Sequence, residues 1–344
     1  MVVVLSTHVA HVRRLRIGLL VLLLFLTPLA SIAFGAAAVP VRDVVDVLAS
    51  HLGLRDAGDP VLDAIIWTNR MPRILAGIGT GAVLAVAGVG LQAIVRNPLA
   101  EPYVLGVSSG ASTGAAAGII LLGLQSTPAV ASLACVGALV ATALVMAVGG
   151  RSGGTTLTLV LAGLAVGFIF QTLTNLVIFS SDSPEAARSV MFWMLGSLSK
   201  VDWTQSCWIL LVALVTVALL WWCAPWLDAL AGGDRSALAL GIDPVRTRCL
   251  LLVPLSSAVA VVVALIGGIG FVGLIIPHLM RAWTGHGHRG LIISAALGGA
   301  IFLVGADTLS RTLFSPSELP VGVVTGLLGA PFLLLMVGRL GTAR

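Results

Sequence analysis

Charge is what this chain lacks most. Of its 344 residues only 10% are charged, 58% are hydrophobic, and lysine (Lys200) and tyrosine (Tyr103) each occur once. Soluble domains carry about 25% charged residues, so a water-soluble globule is excluded and a membrane protein is expected, in keeping with a mean hydropathy of +1.09. Nucleotide chemistry is missing too. No G-x-x-x-x-G-K-[ST] occurs and the glycine-rich "GGRSGGTT" holds no lysine, which excludes ATP hydrolysis by a P-loop of this chain's own. The absence of H-E-x-x-H, of G-x-S-x-G and of an acid pair inside an apolar run leaves nothing that points to an enzyme. Cys135, Cys207, Cys223 and Cys249 form no C-x-x-C pair, which leaves neither a disulfide framework nor a zinc site and makes all four small core residues by expectation. Nor does any Asp, Glu, Lys or Arg fall in the middle of an apolar run, where an ion-driven carrier needs a relay.

What is present is a series of ten apolar runs, at 17–38, 74–95, 103–124, 129–149, 157–179, 204–225, 249–267, 269–282, 290–308 and 320–338. A hydrocarbon core of about 30 Å takes roughly 20 helical residues, so an all-α, polytopic membrane protein with about ten spans in one transmembrane domain (1–344) is expected. The eighth run, in "GGIGFVGLIIPHLMR", is short and glycine-rich, and reads as a span or a re-entrant segment. The basic "HVRRLR" before the first run resembles a signal peptide. The run exceeds the usual 7–15 apolar residues, about the length of such an h-region, so a retained first helix is expected.

Arginine sets the orientation. With the N-terminus inside, the inner loops collect twelve of the nineteen basic residues, among them Arg13, Arg14, Arg16, Arg96, Arg235, Arg246, Arg281 and Arg289, while ten of the fourteen acids lie outside. This is the positive-inside bias, and it accounts for the net charge of +5 without a nucleic-acid partner. Trp67 and Trp203 fall at the outer boundary and Trp221, Trp222, Trp226 and Trp283 at the inner one, so both ends of the chain are expected inside. Long polar connections at 39–73, 180–203 and 226–248 carry the short amphipathic stretches "VRDVVDVLASHLGL" and "ARSVMFWMLGSL" outside, and a longer loop inside.

Three features stand out against this background. In "NRMPR", Arg70 and Arg73 stand just before the second run, as if at a helix start, where cations oppose the helix dipole by about 0.3–1 kcal/mol. Together with Arg311 in "ADTLSRTLFSPSELP" they read as internal partners of Asp63, Asp307 or Glu318, as partners of lipid phosphate, or as a docking point for an acidic external partner. "GHGHR" with His278 upstream reads as a polar inner turn rather than a metal site, since it has no Cys or carboxylate beside it. "GVGLQAIVRNPL" and "GIGFVGLIIPHL" echo one another, as internal repeats of transporters do.

Four blocks, "RMPRILAGIGTGAVLAVAGVGLQAIVRNPLAEPYVLGVSSGAS", "ALALGID", "GGIGFVGLIIPHLMR" and "ADTLSRTLFSPSELPVGVVTGLLGAPFLLLM", resemble in content and order the FecCD or BtuC-like permeases of ABC importers for ferric siderophores, haem and vitamin B12. The resemblance implies a type II importer in the cytoplasmic (inner) membrane: two permeases (this chain twice, or with a paralogue), two cytoplasmic ATPase subunits, and a periplasmic or lipoprotein-anchored binding protein. It implies no cofactor on this chain, with ATP and Mg on the ATPase partners. Arg70, Arg73 and Arg311 match positions that accept glutamates of the binding protein in that family. The loop at 226–248 matches the short coupling helices seated on the ATPase, with Ala237 and Gly241 expected to permit close approach beside Asp234 and Arg235. Asn97 and Leu99, with Thr156 and Leu157, match the cytoplasmic gate. A ferric siderophore is the expected cargo, with vitamin B12 or haem as the alternative; an ion-coupled carrier and a permease for bare Zn or Mn are the rivals.

Overall fold

The structure is a computed structural model and describes residues 2–35, 39–55, 59–151 and 155–342. Among these are fourteen helices and no strand: α1 (Val2–Ala33), α2 (Val41–His51), α3 (Pro60–Val95), α4 (Val107–Leu121), α5 (Thr127–Arg151), α6 (Thr156–Phe179), α7 (Pro184–Met194), α8 (Trp203–Trp222), α9 (Ala224–Ala231), α10 (Asp234–Ala239), α11 (Pro244–Ile266), α12 (Val272–Thr284), α13 (His288–Thr312) and α14 (Val321–Thr342). Eight of them, α1, α3, α5, α6, α8, α11, α13 and α14, are long and apolar enough to cross a membrane. Helices α4 and α12 are shorter apolar elements inside the same bundle.

Helix α3 is the axis of the bundle. It packs against α8, α11, α12 and α13, and nearly every residue from Pro72 to Val95 is buried. Lipid supplies no hydrophobic drive between helices, so close backbone approach through small residues does the work. Where α3 crosses α13, a Cβ at Gly81 would lie 2.1 Å from the Gly299 carbonyl oxygen, and where it meets α12, one at Gly88 would lie 2.0 Å from that of Gly273. The two echoed segments of the sequence are therefore brought face to face at Gly88 and Gly273.

Several boundaries differ from the apolar runs. The second span begins at Pro60, capped by the Asp59 side chain, and passes through a π-helical stretch, Ala64–Arg70. Arg73 is thus about 20 Å along the helix at 1.5 Å per residue, well beyond the first turn, and the expected conflict with the dipole does not arise. The third span starts only at Val107, after a 3-10 turn at Pro102–Leu105. The eighth falls short of a full span: Gly267 to Phe271 are non-helical and α12 has 13 residues, about 20 Å. The first run continues past the end of α1 at Ala33 into 36–38, which lie outside the described residues. Of the cysteines, Cys223 is buried, but Cys135 and Cys249 are half-buried and Cys207 is exposed on α8, so the expectation of four core cysteines is corrected.

Candidate functional site

Outer and inner ends are named here by the orientation expected from the charges. At the outer end Arg70, Arg73 and Arg311 come together, but inside the protein: their exposures are 5%, 4% and 3%. Arg73 Nε donates to both oxygens of Asp307 at 3.0 Å and its Nη1 to Glu318 Oε2 at 2.7 Å. Arg311 Nε lies 3.2 Å from Asp307 Oδ2, and its Nη2 donates to Ser31 Oγ at 2.6 Å. Arg70 donates to the carbonyl of Ile32 at the end of α1. Asp307 is 1% exposed, while the Glu318 side chain is 37% exposed and alone of the two acids reaches the surface. Of the internal partners read from the sequence, Asp307 and Glu318 are realised. Asp63 instead pairs with His51 at 2.6 Å, beside the stacked rings of His51 and Trp67. The three arginines are thus held within the protein, Arg70 and Arg311 against Ile32 and Ser31 at the end of α1 and Arg73 against Asp307 and Glu318.

Mid-bundle, the break before α12 is closed by residues that the sequence reading passed over. Tyr103 Oη donates to the Ile269 carbonyl and accepts from the Ile269 amide, each at 2.8 Å. Glu101 Oε1 accepts from the Phe271 amide at 3.2 Å, at the N-terminus of α12, and the Ser197 amide donates to the Ile266 carbonyl at 2.8 Å. A buried backbone group without a partner is costly where no water reaches, so these side chains are what makes a broken helix tolerable. The signal in the sequence was the glycine-rich "GGIGF" itself, which had to find partners elsewhere.

At the inner end, the turn after α3 has Arg96 in the left-handed region (φ 53°) and Asn97 Oδ1 accepting from the Leu99 amide at 2.9 Å. Arg96 Nη2 lies 3.6 Å from Asp234 Oδ1 on α10, and Arg248 Nη2 of α11 donates to the same oxygen at 2.5 Å. One carboxylate thereby joins the turn, the short helix and a long helix. Ala237 is fully buried and Arg235 is exposed. A Cβ at Gly241 would meet nothing within 4 Å, so within this chain the residue faces open space. It stands at φ +76° after α10, where its amide bonds to Leu238 O and that of Ile242 to Ala237 O, a Schellman end. Leu238 and Leu240 are exposed there at 60% and 69%. Thr156 and Leu157 begin α6 behind the cap of Thr155; Leu157 is exposed, and among the described residues no hydrogen bond joins this pair to Asn97 or Leu99. No group of three His, Cys, Asp or Glu able to hold a metal occurs among the described residues.

A bundle of apolar helices around a glycine-lined axis, with a broken helix and a tethered short-helix loop at one end, defines a helical membrane permease. The comparisons with known proteins narrow the class. The family model described as the FecCD transport family matches residues 20–339. A protein of Methanocaldococcus jannaschii named as an ABC transporter permease is 34% identical over 331 residues, 93% of each chain. The vitamin B12 import system permease protein BtuC of Salmonella typhimurium is 42% identical over 279 residues, 80% of this chain and 84% of its own. A solved structure described as an inward-facing metal-chelate type ABC transporter superposes with a TM-score of 0.83 at 32% identity, covering 94% of this chain and 98% of that one. PsaBC of Streptococcus pneumoniae, at TM-score 0.56 and 19% identity, covering 77% of this chain and 90% of that one, shares the fold. The chain belongs to the FecCD transport family, as a permease of the ABC importer type.

Proposed function

We propose that this chain carries a bulky metal chelate across the cytoplasmic membrane, as one of two permease subunits driven by ATP on two separate cytoplasmic ATPase subunits and fed by an extracytoplasmic binding protein. The observation that carries the reading is the Asp234 bridge. A short helix outside the spans, with Leu238 and Leu240 unpartnered, suits an ATPase surface, and Asp234 ties that helix to the turn holding Asn97 and Leu99. Motion imposed on α10 reaches that turn through Arg96 and reaches α11 through Arg248. Closure of the gate needs a second permease, since Leu157 faces outward from the single chain. Docking of the binding protein on Arg73 and Arg311 requires its carboxylate to displace Glu318, the surface-reaching acid of the cluster.

A ferric siderophore fits an apolar bundle without fixed ligands. Identity of 42% with BtuC favours a second reading, a corrinoid. Reconstitution of the whole importer in proteoliposomes tests the mechanism. Asp234→Asn is expected to keep ATP hydrolysis while transport per ATP falls about tenfold, the effect of losing an ionic hydrogen bond of roughly 1.5 kcal/mol. Transport by the chain alone under an ion gradient, or unaltered stoichiometry in Asp234→Asn, would overturn it. Ligand binding to the cognate binding protein, read by tryptophan quenching, separates siderophore from corrinoid.

A further inference from the structure

Basic motifs from three parts of the chain converge, and of them only Arg96 is used in the transport reading. "PHLMR" on α12, "GHGHR" between α12 and α13, and Arg96 after α3 line one cleft of about 500 Å³ at the inner end, with Gln92, Arg96, His278, Arg281, His286 and His288 on its walls. Arg281 Nη1 donates to Gln92 Oε1 at 2.5 Å, which fixes one edge of its guanidinium to the wall. His288 Nδ1 is 2.5 Å from Asp228 Oδ1, and Arg96 shares Asp234 with Arg248. The walls of the cleft therefore hold two guanidinium groups and no carboxylate, while Asp234, shared by Arg96 and Arg248, and Asp228, beside His288, lie outside the lining.

A metal ion is the wrong occupant, because guanidinium groups repel it and cannot ligate it. An anion with several acceptor oxygens is the right one, since arginine forks pair with phosphate and carboxylate. The depth of the cleft selects between these. Arg16 donates to the Trp283 carbonyl and Arg289 stacks over the Trp221 ring at 5.4 Å, and Trp283 and Arg289 adjoin the lining residues Ala282 and His288 in the chain, which puts this belt of tryptophan and arginine beside the cleft. Such a belt lies at the headgroup level of a bilayer, where phosphate is the prevailing anion.

We propose that this cleft binds a phosphate group, supplied by the headgroup of an anionic phospholipid or by a soluble phosphate. Bound there, it spans Arg96 at the end of α3 and Arg281 on α12, the two helices that meet at Gly88 and Gly273. The proposal stands apart from the transport reading, because it is tested on the permease alone.

The full chain, delipidated in detergent, is examined by native mass spectrometry with phosphatidylglycerol, phosphatidylcholine or inorganic phosphate added singly and in competition. Retention of phosphatidylglycerol over phosphatidylcholine is expected, with a loss of about tenfold in Arg281→Gln, the scale of a charged hydrogen bond. Since Arg281 also holds Gln92, the exposed loop variant His286→Ala serves as the second probe; it is expected to fold normally and to weaken binding about threefold, at the low end of one hydrogen bond. Phosphatidylglycerol that resists displacement by inorganic phosphate identifies the lipid as the source, and displacement identifies soluble phosphate. Equal retention of both lipids with no phosphate bound, or phosphatidylglycerol binding unchanged in both variants, overturns the proposal.

Discussion

Replacing Asp307 with asparagine removes a charge from the outer arginine cluster while keeping its volume and one acceptor oxygen. In the structure this carboxylate lies 2.9 Å from Arg73 Nη2 and 3.2 Å from Arg311 Nε, with all three side chains at most 4% exposed. Two unit charges about 4 Å apart attract by roughly 4 kcal/mol at an effective dielectric of 20. Arg73 keeps Glu318 in the variant, whereas Arg311 is left with Ser31 and a like-charged neighbour. Stranding one member of a buried pair costs about 3–5 kcal/mol, or roughly two to three and a half powers of ten in the folded-to-unfolded ratio. Tryptophan fluorescence during SDS titration reads this directly, the chain having eight tryptophans. Asp63→Asn is the control: it breaks the exposed pair with His51 and is expected to cost at most about 1 kcal/mol. Adding Arg311→Met to Asp307→Asn removes the stranded cation and is expected to restore at least half of the loss. A midpoint for Asp307→Asn indistinguishable from that of Asp63→Asn, or no recovery in the double variant, refutes the reasoning.

Other expectations follow from the same contacts. Tyr103→Phe deletes both bonds to the Ile269 backbone and is expected to cost about 1–3 kcal/mol, two bonds of roughly 0.5–1.5 each; amide exchange of Ile269 should quicken, and unchanged protection would count against the clamp. Glu101→Gln weakens the cap on α12, by about 0.5–2 kcal/mol on the scale of helix caps, and should speed exchange at Phe271 without affecting α5. Gly81→Val, whose Cβ falls on the Gly299 carbonyl, should prevent assembly of α3 with α13, scored as loss of monodisperse protein in gel filtration. Gly241→Asn should retain coupled ATP hydrolysis because asparagine tolerates a positive φ, whereas Gly241→Val should lose it.

Apolar runs marked ten helices of the bundle, eight of them long enough to span, but charge was a poor guide to where they begin. Arg70 and Arg73 look like the polar border of a helix only while their partners are unknown. Asp307 is 234 residues from Arg73, and once paired with it the arginines are carried inside a helix that continues to Pro60. Small residues behaved in the same way. The echo of "GVGLQAIVRNPL" and "GIGFVGLIIPHL" was visible in the sequence, but that α3 meets α12 at Gly88 and α13 at Gly81 depended on the crossing geometry. At Gly241 the chain itself adds a requirement that spacing did not show, a turn at φ +76°. The weak eighth run was legible from its glycines, yet Glu101 and Tyr103 were not, because their partners are backbone atoms about 170 residues away, and no side-chain pattern marks those.

The shortness of α12 bears on how the protein is made. Thirteen residues, about 20 Å of helix, fall well short of the roughly 30 Å that a nascent segment must offer to partition into lipid by itself. Insertion of α12 must therefore rely on a surface already in the membrane, and synthesis order supplies one: α3, with Glu101 and Tyr103 just beyond it, emerges from the ribosome some 170 residues before the backbone that they receive. The early part of the chain serves as a template for the later, and a lesion at Tyr103 should appear first as a defect in biogenesis.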